Sequence, residues 1–157
     1  VRGEITLRLL SLSDLSELGE GEMVIAPGAL PPSFITEKAV EDLAAGLNPV
    51  WNSYFLFIDF DGVAVGSGGF RGDPIDGRVE IGYGVAPLHQ GRGIGTQAAD
   101  LLVSQAFQFL EVAEVFAESS VVNPASRRVL EKAGFQHIGQ RDTESEDGLV
   151  DRWLRRR

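Results

Sequence analysis

The rhythm of apolar and polar positions changes several times along this chain, and each change predicts an element. Glu4 to Leu10 alternates as a strand with one buried face does. Ser11 and Ser13 offer caps for a short amphipathic helix carrying Leu15 and Leu18 and ending at Gly19. From Gly19 to Phe34 no period lasts beyond a turn or two, although Met23, Val24, Ile25, Leu30 and Phe34 favour packing over floating. Thr36 is a cap for a helix to about Leu47, with Val40, Leu43, Ala44 and Leu47 on its apolar side and Asn48-Pro49 stopping it. Trp51 to Ile58 and Val63 to Phe70 read as a hairpin around Asp59-Phe60-Asp61-Gly62. Turns at Asp73-Pro74 and Asp76-Gly77 then lead into Arg78 to Val85, where polar or small residues alternate with apolar ones.

Ala86-Pro87 ends that ladder, since Pro87 has no N–H to give it. Gln90 to Gly95 is a glycine-rich turn, and from Thr96 the period becomes helical, with Ala99, Leu102, Val103, Ala106 and Leu110 on one side. Glu114 to Ser119 is another strand. Asn123 caps the next helix, Pro124 opens it and Gly134 ends it, with Arg127 and Glu131 spaced to pair on its surface. Phe135 to Arg141 and Leu149 to Leu154 are the last two strands, joined by an acidic turn at Asp142 to Gly148. Strand, helix, loop, helix, three strands, helix, strand, helix and two strands make an α/β (α+β) mixed sheet with helices on both faces.

Bulk numbers narrow the function classes. At 157 residues the chain is expected to be one domain over 1–157, long enough to bury a core. It has no cysteine, which excludes a disulfide scaffold, a thiol nucleophile and a Cys-ligated zinc, and fits a reducing cytoplasm. Its two histidines, His89 and His137, are too far apart to argue a metal site. A net charge of −9 argues against nucleic acid and mildly favours a cationic partner. No apolar run approaches the roughly 20 residues that span a bilayer. The start lacks a basic region and a hydrophobic segment, so no signal peptide is expected, although the chain begins at Val1 rather than methionine.

Strand, glycine turn and helix together aim several backbone N–H groups and a helix N-terminus at one point, which attracts phosphate. No acidic residue lies between Ala86 and Ala99 to oppose it. The glycines read G-x-G-x-G, neither the dinucleotide G-x-G-x-x-G nor a P-loop. Gln90-x-x-Gly93-x-Gly95 directly after a strand instead resembles the [QR]-x-x-G-x-[GA] signature of the GNAT family, the Gcn5-related N-acetyltransferases. E-I-G-Y-G-V at Glu80 to Val85 looks like that family's fourth strand. N-P-A-S-R-R-V-L-E-K-A-G-F at Asn123 to Phe135 is similar to its N-x-x-S…E-K-x-G-F segment. The flavour is nearest the ribosomal-protein-alanine acetyltransferase-like branch, and the resemblance covers nearly the whole chain.

The resemblance implies a mostly antiparallel sheet splayed between its fourth and fifth strands (Arg78 to Val85 and Glu114 to Ser119), with acetyl-CoA as cosubstrate. Amides of Gln90, Gly91, Arg92, Gly93, Ile94, Gly95 and Thr96 would clasp its diphosphate. Main-chain atoms of Ala86 to Leu88 (Ala86 and Leu88 above all) would pair with the pantetheine arm, and the Val85 N–H would donate to the acetyl oxygen. Asn123 is first a helix cap and, by the resemblance, also a pantetheine contact. Ser126 is either a sulfur partner or an ordinary helix-start serine. Many family members carry a tyrosine four residues after that serine, where this chain has Leu130, so the general acid is missing. Tyr83 is another donor, but alternation sets it on the face away from Glu80, among the core.

Glu80 is the first candidate base, with Gly82 and Gly84 leaving open space beside it. A carboxylate in a low-dielectric cleft has its pKa raised, which suits a base. The structural alternative is an ion pair with Arg78 or another cation of the sheet, and Glu118 is the competitor. Arg92 is expected at phosphate and His89 on the surface. Trp51, Asn52 and Phe34 are candidates for an acceptor pocket, and the Gly19 to Phe34 loop is either its wall or lid or a disordered connection. Arg152 and Arg155 to Arg157 read as a solvated tail. The expected function is transfer of an acetyl group to a small-molecule amine or protein N-terminal amine by direct attack in a ternary complex, with no nucleic acid or membrane partner and a homodimer left open. The rivals are an idle acyl-CoA-binding or sensor module with the same fold, and a nucleotide-binding domain sharing only the glycine turn.

Overall fold

A computed structural model of the chain describes residues 3–145 and 148–157, so Glu146 and Asp147 of the expected acidic turn lie outside the described residues. In chain order the elements are β1 (Thr6–Leu9), α1 (Leu12–Ser16), β2 (Val24–Ile25), α2 (Ser33–Ala44), α3 (Pro49–Asn52), β3 (Phe55–Ile58), β4 (Val63–Phe70), β5 (Arg78–Val85), a short 3₁₀ turn (Pro87–His89), α4 (Ile94–Phe107), β6 (Glu114–Ser120), α5 (Pro124–Lys132), β7 (Gln136–Asp142) and β8 (Leu149–Arg156). The strands lie in the order β1-β3-β4-β5-β6-β8-β7, with β2 against β4. Only β2–β4 and β5–β6 are parallel. The mixed, mostly antiparallel sheet expected from the sequence is therefore present.

Two apolar clusters fix the layers. On one face, Phe55, Phe57, Val79, Ile81 and Val115 pack with Ala98, Leu102, Val103 and Ala106 of α4 and Leu130 of α5. On the other, Tyr54, Leu56 and Ala64 pack with Leu10, Leu15 of α1 and Ala39 of α2. Ser11 caps α1 through a reciprocal box with Asp14: the Ser11 hydroxyl accepts from the Asp14 N–H, and the Asp14 carboxylate accepts from the Ser11 N–H. Asn123 accepts from the Ser126 N–H at the start of α5, and Gly134 closes that helix at φ +83°.

Several expectations are corrected. The helix α2 starts at Ser33, not at Thr36, whose hydroxyl instead shares a hydrogen bond of 2.8 Å with Tyr54. It ends at Ala44, leaving Leu47 exposed. Asn48-Pro49 both stops one helix and starts another: the Asn48 side chain accepts from the Val50 N–H, and Trp51 and Asn52 lie in α3 rather than in a strand. Within the long loop, Val24 and Ile25 pair with Val63 and Ala64 on the edge of β4 next to where β5 has left it. Leu110 is 93% exposed because α4 ends at Phe107, and it is Phe109 that packs back, its ring against Trp51. The C-terminal arginines are no solvated tail. Arg155 donates to Asp100 and the Ala133 carbonyl, and Arg157 donates to the carbonyls of Phe107, Phe109 and Val112, closing the open end of α4.

Candidate active site

The parallel pairing of β5 with β6 runs only from Arg78–Glu114 to Glu80–Phe116. Beyond it the strands part, while each keeps its outer neighbour: β5 stays on β4 through Val85, and β6 stays on β8 through Ser120. Antiparallel ladders alternate between residues that bond to the partner strand and residues that face away. The Arg71 N–H bonds the Glu80 carbonyl and the Ala86 N–H bonds the Val65 carbonyl, which fixes the parity. The main-chain groups of Ile81, Tyr83 and Val85 therefore face the opening. By the same parity, set by the bond from Val121 to Leu149, Glu118 and Ser120 face it from β6. The splay expected between the fourth and fifth strands of the sequence reading is this gap between β5 and β6.

At the end of the gap lies the glycine turn. Gly91 and Gly93 have φ of 77° and 79°, a conformation that costs other residues energy, and nothing stands within 4 Å of where their Cβ atoms would be. The helix start at Gly93 has no side-chain cap, and the N–H groups from Gly91 to Thr96 find no acceptor among the described residues. Gly95 has a different reason: a Cβ there would come 3.2 Å from Val129, so the glycine lets α4 and α5 close. The Gln90 side chain donates to the Val85 carbonyl at 3.0 Å and ties the turn to the strand end. Leu88 is exposed and Ile94 is buried. Two expectations are corrected: buried Ala86 has its N–H on the Val65 carbonyl and its carbonyl accepting from His89, so it faces β4 rather than the gap, and the Gln90 N–H is on the Pro87 carbonyl rather than free for the diphosphate. Arg92 and His89 line a small cavity with Asp59 and Asp61.

Glu80 and Glu118 meet across the other face of the sheet, in a cavity of about 670 Å³ lined by Arg71, Asp73, Asp76, Arg78, Glu114, Phe116 and Arg152 among others. Glu80 is held by Arg71, Nε to carboxylate 2.7 Å, with its side chain one-third exposed. Burial raises its pKa above the ordinary value. The Arg71 charge lowers it less, and the nearby Glu118 charge adds to the rise. Glu118 is gripped by both arms of Arg141 at 2.9 and 2.8 Å, and those hydrogen bonds bring its pKa down despite partial burial. The sheet cation foreseen as a partner for Glu80 thus exists, and it is Arg71 rather than Arg78. Arg78 lies 3.6 Å from Glu114 and over the Phe116 ring.

Ser126 opens the face of α5 that continues into Val129 and Leu130. Leu130 is wholly buried in the core. Beside Ser126 lies Tyr83, whose buried hydroxyl has no hydrogen-bond partner among the described residues; burial raises its pKa and the nearby Ser126 side chain lowers it less, the two hydroxyls falling short of hydrogen-bond geometry. An unsatisfied buried hydroxyl costs about 1–3 kcal/mol. Of the acceptor-pocket candidates, Trp51 sits in the core against Phe70 and Phe109, Asn52 donates to Asp73, and Phe34 is exposed; none lines the cavity over Glu80. His137 is bonded to the buried carboxylate of Asp151 at 2.8 Å. Sequence reasoning missed Arg71, Arg141 and Phe116, because strand alternation gives the face but not the residue across from it.

A sheet opened along free amides, ending in an uncapped helix start, is shaped to take a linear arm and its phosphates, and the raised carboxyl across the gap suits drawing a proton from an amine. Those are the parts of an acyltransferase that takes its donor from coenzyme A. A family model for the acetyltransferase (GNAT) domain matches residues 4–136, and the chain belongs to that family. It is an N-acetyltransferase with acetyl-CoA as cosubstrate. Among curated proteins it is 29% identical over 161 residues, 95% of this chain and 85% of the relative, to the putative ribosomal N-acetyltransferase YdaF of Bacillus subtilis. Among solved structures the aminoglycoside acetyltransferase AAC(6')-Ib, in complex with coenzyme A and kanamycin, superposes with a TM-score of 0.69 at 24% identity, covering 98% of this chain and 95% of that one. A spermidine N-acetyltransferase SpeG chimera from Vibrio cholerae reaches 0.73 at 20% identity with the same coverages. These structural likenesses establish the fold. No helix among the described residues is long and apolar enough to cross a membrane.

Proposed function

We propose that this chain acetylates a small cationic primary amine, which enters over Glu80 and attacks directly in a ternary complex. The observation that carries this reading is the raised proton affinity of Glu80 at the foot of an open cavity beside the splay. Bound acetyl-CoA supplies the activated thioester. The N–H groups from Gly91 to Thr96 hold its phosphates, and the Val85 N–H, kept in place by Gln90 on the adjoining carbonyl, donates to the acetyl oxygen as charge develops there. Glu80 removes the proton that keeps the amine from acting as a nucleophile. Asn123, whose carbonyl oxygen caps α5, keeps its amide nitrogen available to the arm.

The cavity wall favours a cation. Asp73, Asp76, Glu80, Glu114 and Glu118 outnumber Arg71, Arg78 and Arg152, and the volume suits a small molecule. The acceptors named for the structural neighbours, an aminoglycoside and spermidine, are amines of this kind. The test is thiol release from acetyl-CoA with a panel of polyamines, amino sugars, amino acids and short peptides, with the acetylated product identified by mass. Release with a small cationic amine is expected. Acetyl-CoA binding in calorimetry with no release from any amine would replace the enzyme by a binding module, and release with peptides alone would replace the acceptor class.

A further inference from the structure

Granting the acetyl-transfer reading above, we propose that Tyr83 is the general acid of this enzyme, giving its hydroxyl proton to the sulfur that leaves. Three observations converge on it. The Tyr83 hydroxyl is buried and has no hydrogen-bond partner among the described residues, although the rest of the side chain packs on the core. Its neighbour is Ser126, on the first turn of α5. Its own main-chain groups face the gap between β5 and β6, so the residue borders the space the arm would occupy.

Place in the sheet makes the assignment coherent. Glu80 points to the cavity face, whereas Tyr83 points to the face covered by α4 and α5, so base and acid stand on opposite sides of the same strand. A proton removed on one side does not short-circuit to the donor on the other. Room for the ring comes from β4: Tyr83 is opposite Gly68, where a Cβ would lie 2.8 Å from that of Tyr83. Burial keeps the phenol protonated to higher pH than an exposed one, and Leu130, wholly in the core, offers no competing donor.

The balance of the step is simple. As the carbon–sulfur bond breaks, its electron pair goes with the sulfur, which takes the Tyr83 proton. The nitrogen, which gave its ammonium proton to Glu80, gives a second proton to solvent as it becomes the amide nitrogen. The phenolate regains a proton from solvent once the thiol departs and the proton held by Glu80 returns to solvent, so ammonium and thioester become amide, thiol and one released proton.

The deciding measurement titrates the thiol of free coenzyme A bound to the protein, by the ultraviolet absorbance of the thiolate. A tyrosine hydroxyl donating to sulfur favours the thiolate, so Tyr83→Phe should move the midpoint to higher pH. Desulfo-coenzyme A should bind both proteins alike. Thiol release from acetyl-CoA should fall by about 10²-fold or more, while the ligand-free variant melts at or above wild type because an unsatisfied group has been removed. An unchanged thiolate midpoint overturns the proposal whatever happens to the rate, as does a variant that melts well below wild type with wild-type titration. Failure of the acetyl-transfer reading would look different: no amine would give thiol release even with wild type, while the thiolate shift still reported on Tyr83.

Discussion

Glu80 and Glu118 stand on neighbouring strands and look into one cavity, yet the fold treats them in opposite ways. Glu118 is closed in a two-pronged hydrogen bond from Arg141, with Arg152 3.8 Å away, and its proton affinity falls. Glu80 has one contact with a largely exposed Arg71, and the cost of burial outweighs that charge, so its proton affinity rises. A guanidinium that meets both carboxylate oxygens stabilises the anion strongly, whereas a single contact on a mobile, solvated arm stabilises it weakly. The pair shows how one cavity wall raises the proton affinity of one carboxylate and lowers that of its neighbour.

The most severe break in this comparison is at Glu80 itself. Glu80→Gln should lower kcat/KM for acetyl transfer by about 10²–10⁴-fold, the usual contribution of a positioned base, while leaving acetyl-CoA affinity near wild type. Glu118→Gln should lose less, because its carboxylate is already committed to Arg141. Steady-state thiol release with calorimetric binding of acetyl-CoA measures both. Equal losses in the two variants, or a larger one at Glu118, would reverse the assignment.

Why Glu80 was readable from sequence and Arg71 was not comes down to register. Alternation along Arg78 to Val85 gives the face of Glu80 directly, and of the two glycines expected to leave open space beside it Gly84 does so, while the Arg71 guanidinium lies over Gly82. The partner depends on the turn. Extending the Ile75–Arg78 bridge as an unbroken hairpin would set Asp73 across from Glu80, whereas an offset accumulated before Ile75 brings Arg71 there. An acid opposite Glu80 would have left it without the cation that lowers its pKa. The glycine turn was legible because proline, spacing and the onset of helical period agree. The two-residue β2 was not, since no period shows in so short a strand. Asn48-Pro49 misled for a related reason, as the same pair ends a helix or caps one. The arginines at the C-terminus carry no period that tells a cap from a tail. Alternation assigned Tyr83 to the core face correctly, but only the packing of α5 shows that its hydroxyl is unpaired beside Ser126.

A subtler break is Arg71→Met. Removing that charge takes away the main influence lowering the Glu80 pKa, so the acid limb of kcat/KM should move to higher pH. At neutral pH the rate should drop by less than in Glu80→Gln, and it should recover as the pH is raised. The Arg71 guanidinium also lies over Gly82, 3.4 Å from where a Cβ would sit, so the substitution opens space there without filling it. A limb that stays put or moves to lower pH would show that Arg71 does not govern the base.

The smallest effect, and the one that separates the two carboxylates without any catalysis, is on stability. Glu80 has its pKa raised in the folded protein, so the fold binds that proton more tightly than the unfolded chain does, and Glu80 costs stability as pH rises from the ordinary carboxylate value through its folded pKa. Glu118 has its pKa lowered, so its contribution is fully present above the ordinary value and is lost as pH falls through its folded pKa. Near neutral pH, Glu80→Gln should therefore melt at or above wild type, and Glu118→Gln a few degrees below it. On acidification toward and below the usual carboxylate range, the deficit of Glu118→Gln should shrink, because wild type then loses the same interaction, and any gain of Glu80→Gln should disappear once both folded and unfolded wild type carry the proton. Melting curves of the three proteins across that range give the two signs directly. Same-sign shifts for both variants near neutrality would mean that burial at Glu80 does not outweigh its ion pair with Arg71, and the distinction drawn between the two strands would fail.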